Sequence, residues 1–269
     1  MTRPFTAATL AATVGLAATS ANAALYQQSF DYGASVLDFG SDLSGDGWTD
    51  STGLITYDPS GGLTYANHVG NTGGAWQMDH TSSVARSATQ NIADIDLAGT
   101  AGQVSYFFAL GKATNSTNGG SVKFESAGAV NDVTFTLSGG AISATVFGSG
   151  SSSVTSGTQS VADGESFAIL VKATQSASAS PTDSLMEVWL NPNLLSLGAA
   201  DFSTASKFGR HGAGQAMSSV NVAGTAGPDM YWDELIWTTD FNDIAVPEPG
   251  SLALIGLAGV MVMSRRRRN

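Results

Sequence analysis

The sequence contains no cysteine. That excludes disulfide staples, zinc–thiolate sites, iron–sulfur clusters and cysteine nucleophiles together. Histidine is nearly as scarce: His68, His80 and His211 are the full set, and none has a second ligand at a metal-site spacing. No Gly-x-Ser-x-Gly elbow occurs, so no serine–histidine–acid triad is read. No apolar stripe of useful length follows a helical period. Basic residues number eleven, and four of them, Arg265, Arg266, Arg267 and Arg268, stand together near the end. Between residues 24 and 245 only six Lys/Arg face twenty-one Asp/Glu, a net of −15. Such a surface repels nucleic acid and anionic lipid, so nucleic acid is not expected as a partner.

What is present begins with a leader. Arg3 precedes an apolar or small stretch from Phe5 to Leu16, and Ala21 and Ala23 occupy the two positions that signal peptidase reads. Cleavage is expected after Ala23, giving a signal peptide over 1–23. Alanine and threonine without a polar face would make a poor amphipathic first helix.

The other end carries three parts in order. Val246, Pro247, Glu248 and Pro249 form a proline-locked segment, 252–263 is a short apolar helix, and the four arginines follow. As a helix, twelve residues span about 18 Å against a hydrocarbon core of roughly 30 Å. The run is therefore a marginal membrane span, lengthened by snorkelling arginine stems that stay on the cytoplasmic side. The expected orientation is carboxyl end in and domain out. The prolines keep their own segment extended and poor in backbone donors.

These three parts resemble the PEP-CTERM sorting tail of Gram-negative bacteria. The resemblance implies recognition by an exosortase, a membrane protease that cuts near the Pro-Glu-Pro motif and passes the protein to the surface or the extracellular matrix. Signal peptidase and exosortase are thus the expected processing partners, and contact with the membrane through the tail helix is expected to be transient.

Between the two signals, residues 24–245 read as strand and turn, with Gly, Ser, Thr and Asn punctuating short β-branched and aromatic runs. Strands are expected at 25–30, 63–65, 104–110, 121–125, 133–137, 141–147, 167–173, 185–190 and 230–237. Alternation on both sides of Ser138, Gly139 and Gly140 predicts a hairpin with one face in a core. Ten to twelve strands without intervening helices predict an all-β, two-sheet jelly-roll sandwich. The stretches 167–173, 184–192 and 231–237, with 29–33, 45–48 and 62–65, resemble both ends of concanavalin A-like, laminin-G-like jelly rolls. That fold implies glycan binders, adhesion modules or glycosidases, and chooses none of them.

Candidate sites are few. Asp42, Asp46 and Asp50 fall at oxygen-ligand positions of a calcium-loop pattern, but Gly53 replaces the bidentate glutamate of an EF-hand. Calcium is the one cofactor this pattern would admit. Asp233 and Glu234 are adjacent in the last strand, so alternation directs them to opposite faces and away from a shared substrate. Trp76, read as a loop residue, is the best exposed platform for stacking on a sugar, with Trp48 second. The leading expectation is a non-enzymatic structural or adhesive module at the cell surface or in the exopolysaccharide matrix. A lectin-like, calcium-dependent glycan binder is the first rival, and a glycoside hydrolase or lyase the second.

Overall fold

A computed structural model describes residues 26–28, 37–38, 47–50, 55–58, 62–68, 75–78, 86–96, 102–114, 119–126, 132–148, 152–175, 184–206, 216–224 and 230–245. Seventeen strands occur among them: β1 (Tyr26–Gln28), β2 (Leu37–Asp38), β3 (Trp48–Asp50), β4 (Ile55–Asp58), β5 (Ala75–Met78), β6 (Arg86–Asp96), β7 (Val104–Ala113), β8 (Gly120–Ser126), β9 (Asp132–Ser138), β10 (Ala141–Gly148), β11 (Ser152–Thr155), β12 (Gln159–Ser160), β13 (Ser166–Thr174), β14 (Ser184–Leu190), β15 (Phe202–Ser206), β16 (Ala216–Gly224) and β17 (Met230–Thr238). Phe241–Asp243 adds one turn of 3-10 helix, capped by the Asp240 side chain. Among the described residues no helix is long and apolar enough to cross a membrane.

The strands form two antiparallel sheets. The first runs β15-β14-β13-β7-β17-β5-β4-β2, with β1 also paired to β17, and the second runs β11-β10-β9-β8-β16-β6-β3, with β12 also paired to β10. Their facing sides interlock around Phe107, Phe124, Phe135, Phe167, Trp232 and Trp237, each essentially inaccessible to water. Alternation supplies this core: Val122 and Phe124 of β8, Val133, Phe135 and Leu137 of β9, and Ile142, Ala144 and Val146 of β10 all point inward. The β9–β10 turn needs Gly139 and Gly140, whose φ values of 58° and 76° disfavour any residue with a Cβ.

The first sheet is apolar on both faces. Along β7, Phe107 and Ala109 enter the inter-sheet core while Phe108 and Leu110 enter a second cluster on the outer side. The same division holds in β13, with Ile169 inside and Leu170 outside. Double burial accounts for the unbroken apolar runs of these strands. Three segments clad the outer side and bring Leu63, Leu194, Ile244 and Ala245 to it.

Three expectations about secondary structure require correction. Seventeen strands are present among the described residues where ten to twelve were expected, since strands of two to four residues carry too short a pattern to be read. Residues 63–65 form a covering strap with Leu63 buried, held by a hydrogen bond to Asp233. Trp76 is a strand residue of β5, in register with Trp232 of β17 and Tyr57 of β4, rather than a loop residue.

Candidate functional site

A buried polar group of His68, Asp233 and Glu234 lies under the strap, on the outer side of the first sheet. β17 carries a bulge between Asp233 and Ile236, and Glu234 adopts a left-handed φ of 49°. Asp233 Oδ2 accepts the Leu63 amide at 2.9 Å, and Glu234 Oε2 lies 3.5 Å from His68 Nε2. Both carboxylates therefore face the strap, which overturns the expectation of opposite faces. The extra residue of the bulge breaks the period-two rule at the one place where it was applied to function.

His68 is the hub. Its ring stacks on Phe108 with centroids 4.9 Å apart, and its backbone forms an isolated bridge to Ala245. Nδ1 lies 2.7 Å from the Ile244 carbonyl, which can only accept, so Nδ1 carries the proton. The strap turns into this position through Asn67, whose φ of 64° is tolerated by asparagine. Tyr65 donates to the Pro192 carbonyl at 2.9 Å, and burial pushes its phenol up to about 12. Asp233, Glu234 and His68 are all buried, at 2%, 1% and 3% exposure. A substrate cannot reach them while the strap is in place, so the group serves to hold segments together.

Among the described residues, the outer face of the second sheet is polar. One register row crosses its seven-strand path: Thr49, Thr89, Asn221, Lys123, Thr134, Thr145 and Thr155. None of the seven is buried. At ~4.8 Å per strand the row is about 29 Å long. Asn221 donates to Thr89 Oγ1 at 2.8 Å, and the hydroxyls of Thr145 and Thr155 lie 2.9 Å apart.

At its centre Lys123 Nζ lies 2.6 Å from Glu125 Oε1 and 3.0 Å from Asp132 Oδ2. The remaining oxygens are also used, since Asp132 Oδ1 accepts the Ser126 amide and Glu125 Oε2 accepts from Ser219. Partial burial works to lower the Lys123 pKa, but the hydrogen bonds and charges of Glu125 and Asp132 outweigh it and raise the pKa above 10.5. A raised folded value means that the cluster stabilises fully below the unfolded pKa of 10.5 and loses that contribution as pH climbs through the folded one. Lys123→Met is therefore expected to narrow the stability difference from wild type as pH rises past 10.5, read as urea midpoints across alkaline pH.

A shallow cavity of about 300 Å³ opens where the sheet edges meet, between Ser156, Gly157, Thr158 and Gln159 on one side and Leu190, Asp201 and Phe202 on the other. Its single carboxylate, Asp201, already accepts the Leu190 amide at 2.7 Å.

The structure places the sequence-derived candidates as follows. Trp48 is 2% exposed and packs in the inter-sheet core, so it offers no platform to a sugar. Trp76 and Asp50 are strand residues, the latter paired with Ala88. Asp42 and Asp46 lie outside the described residues, as do Ala21, Ala23, Val246, Pro247, Glu248, Pro249 and the four arginines. Among the described residues no group of three or more His, Asp or Glu is arranged to hold a metal. Sequence reasoning missed the His68–Glu234 contact because 166 residues separate the partners and neither stands in a motif.

Against known proteins, residues 245–268 match the family model of the PEP-CTERM protein-sorting motif. No curated protein matches the chain. Among solved structures, the T. cruzi calreticulin globular domain is similar at a TM-score of 0.50 and 10% identity, covering 77% of this chain and 87% of that one. A glycosyl hydrolase family protein from Mycobacterium fortuitum reaches 0.48 at 13% identity, over 80% of this chain and 99% of its own. The receptor-binding domain of botulinum neurotoxin type G reaches 0.39 at 12% identity, over 80% and 47%. At such identities the likeness concerns the fold alone. The chain thus carries a PEP-CTERM protein-sorting motif, joined to an all-β, two-sheet jelly-roll sandwich.

Proposed function

We propose that this is an exported protein, sorted and processed by an exosortase, whose sandwich acts by structure or adhesion at the cell surface or in the exopolysaccharide matrix. The sorting motif over 245–268 carries the reading of export and processing. The state of the carboxylates supports a non-catalytic domain: Asp233 and Glu234 are enclosed, and Glu125 and Asp132 are held by Lys123. A glycosidase needs two carboxyl groups roughly 5–9 Å apart across an open groove.

The test is the intact mass and location of the mature protein in its native host, with and without replacement of Pro247, Glu248 and Pro249 by alanine. The expected wild-type product begins at Ala24, ends near Pro249 and leaves the membrane, while the variant stays in the membrane fraction. A wild-type product that keeps Arg265 to Arg268 in the membrane overturns exosortase processing and leaves a permanently tethered surface protein.

A second reading, glycan binding, is favoured by the row of hydroxyl and amide side chains across the second sheet. Trp76 as a stacking platform, and Asp42, Asp46 and Asp50 as calcium ligands, belong to this reading. Calcium-dependent retention would appear in the same fractionation as release of the matrix-bound domain by a chelator.

A further inference from the structure

The sorting motif match begins at residue 245, and Ala245 is itself part of the folded domain. Ala245 is 6% exposed in the outer cluster, bridged to the His68 backbone, with its amide bonded to the Phe241 carbonyl at 3.1 Å. Ile244 is fully buried, and its carbonyl receives the Nδ1 proton of His68. No spacer separates fold from motif. Val246 to Pro249 can extend at most roughly 13 Å from the domain surface. A protease that binds several substrate residues in extended form is obstructed by a domain body close to those residues.

We infer that His68 is a positioning residue for processing at the sorting tail: by pinning Ile244 and Ala245 it sets how far Val246 to Pro249 can stand off the fold, and so limits the rate of cutting. The inference rests on the exosortase reading above. Opening this latch frees 239–245, which adds about 23 Å of chain to the reach of the motif. The latch is held by one side-chain hydrogen bond and one isolated backbone bridge to the strap, together with the burial of Ile244 and Ala245 in the outer cluster and the packing of Phe241 on Tyr106 at 5.5 Å; loss of the His68 hydrogen bond shifts its opening equilibrium. Its other hydrogen bonds are short-range, with Asp240 accepting the Asn242 amide and Thr238 bonded to both the Asp240 amide and the Asp243 carboxylate.

The experiment is a pulse-chase in the native host that follows precursor and mature forms of the full chain. His68→Ala is expected to speed processing about fivefold, the change in open population that follows from losing one hydrogen bond. His68→Asn, whose side-chain amide can replace the Nδ1 donor, is expected to restore the wild-type rate. An eight-residue Gly/Ser insert between Ala245 and Val246 should speed the wild type equally, and His68→Ala should add nothing to the insert. Amide exchange at 241–245 reports the opening directly and separates it from global unfolding. If His68→Ala loosens 241–245 while processing is unchanged, or if the insert changes nothing, the inference is overturned. If His68→Ala unfolds the chain, the insert and His68→Asn alone decide the matter. Replacement of Pro247, Glu248 and Pro249 by alanine that leaves processing intact refutes the exosortase reading instead, whatever the latch variants do.

Discussion

Truncating Trp237 to alanine is expected to lower the unfolding free energy by about 3–5 kcal/mol, the usual result of emptying a buried aromatic site. Trp237 has no exposed surface and stacks on Phe107 with centroids 5.6 Å apart and planes 12° from parallel. Phe107 meets Phe124 edge-on at 5.3 Å, and Phe124 meets Phe135 at 6.0 Å. This file of rings runs from β17 of the first sheet into β8 and β9 of the second, so the indole supports contacts beyond its own. Domains of this kind are stable by only about 5–15 kcal/mol. Urea unfolding followed by far-ultraviolet circular dichroism checks the expectation, and a midpoint within error of wild type would mean that the rings do not share one core.

Gly111→Val is expected to cost about 1–3 kcal/mol or more through overpacking. Gly111 lies opposite Phe167 on one side and Trp232 on the other. Those two rings meet edge to face at 5.7 Å over the space a side chain would take. A Cβ there would stand 2.3 Å from Phe167 Cζ and 3.0 Å from Trp232 Cζ3. Neither ring can retreat, because both are fully buried. The glycine therefore looks dispensable in sequence and is not. Paired substitution with Phe167→Ala should recover part of the loss, since the two changes share one space; strictly additive losses would contradict the packing described.

The strands read from sequence are those with one clean signal. β9 and β10 alternate strictly about Gly139 and Gly140, and β7 and β13 carry the apolar runs Phe107–Leu110 and Phe167–Val171, so each is visible and ends within a few residues of expectation. β6 and β16 are not, although both are interior strands of the second sheet. Their residues are largely Ser, Thr, Asn, Gln and Ala, which carry little periodicity, and their burial comes from neighbours distant in sequence. Ile55–Asp58 and Ala75–Met78 are each only four residues long, too short for a pattern to rise above chance.

The candidate site was legible only at the tail, where Val246, Pro247, Glu248, Pro249 and the arginines form a contiguous motif. Inside the domain, function was sought in the tryptophans, and Trp48 proved to be core. The Asp233 and Glu234 reading failed for a different reason. This bulge holds Glu234 at a φ of 49°, and nothing about a glutamate announces that conformation. His68 acquires its role from a strap, a bulge and a chain end that converge only in three dimensions.

β17 also has a temporal meaning. It lies between β7 on one flank and β5 and β1 on the other, so it joins the two halves of the first sheet. A ribosome makes Tyr26 early and Trp237 late, yet these residues are register partners. Until the last strand emerges, the first sheet is divided into two parts with open edges, an arrangement prone to mispairing. Completion of the first sheet therefore waits until the last strand of the domain has been made, however early its other strands appear.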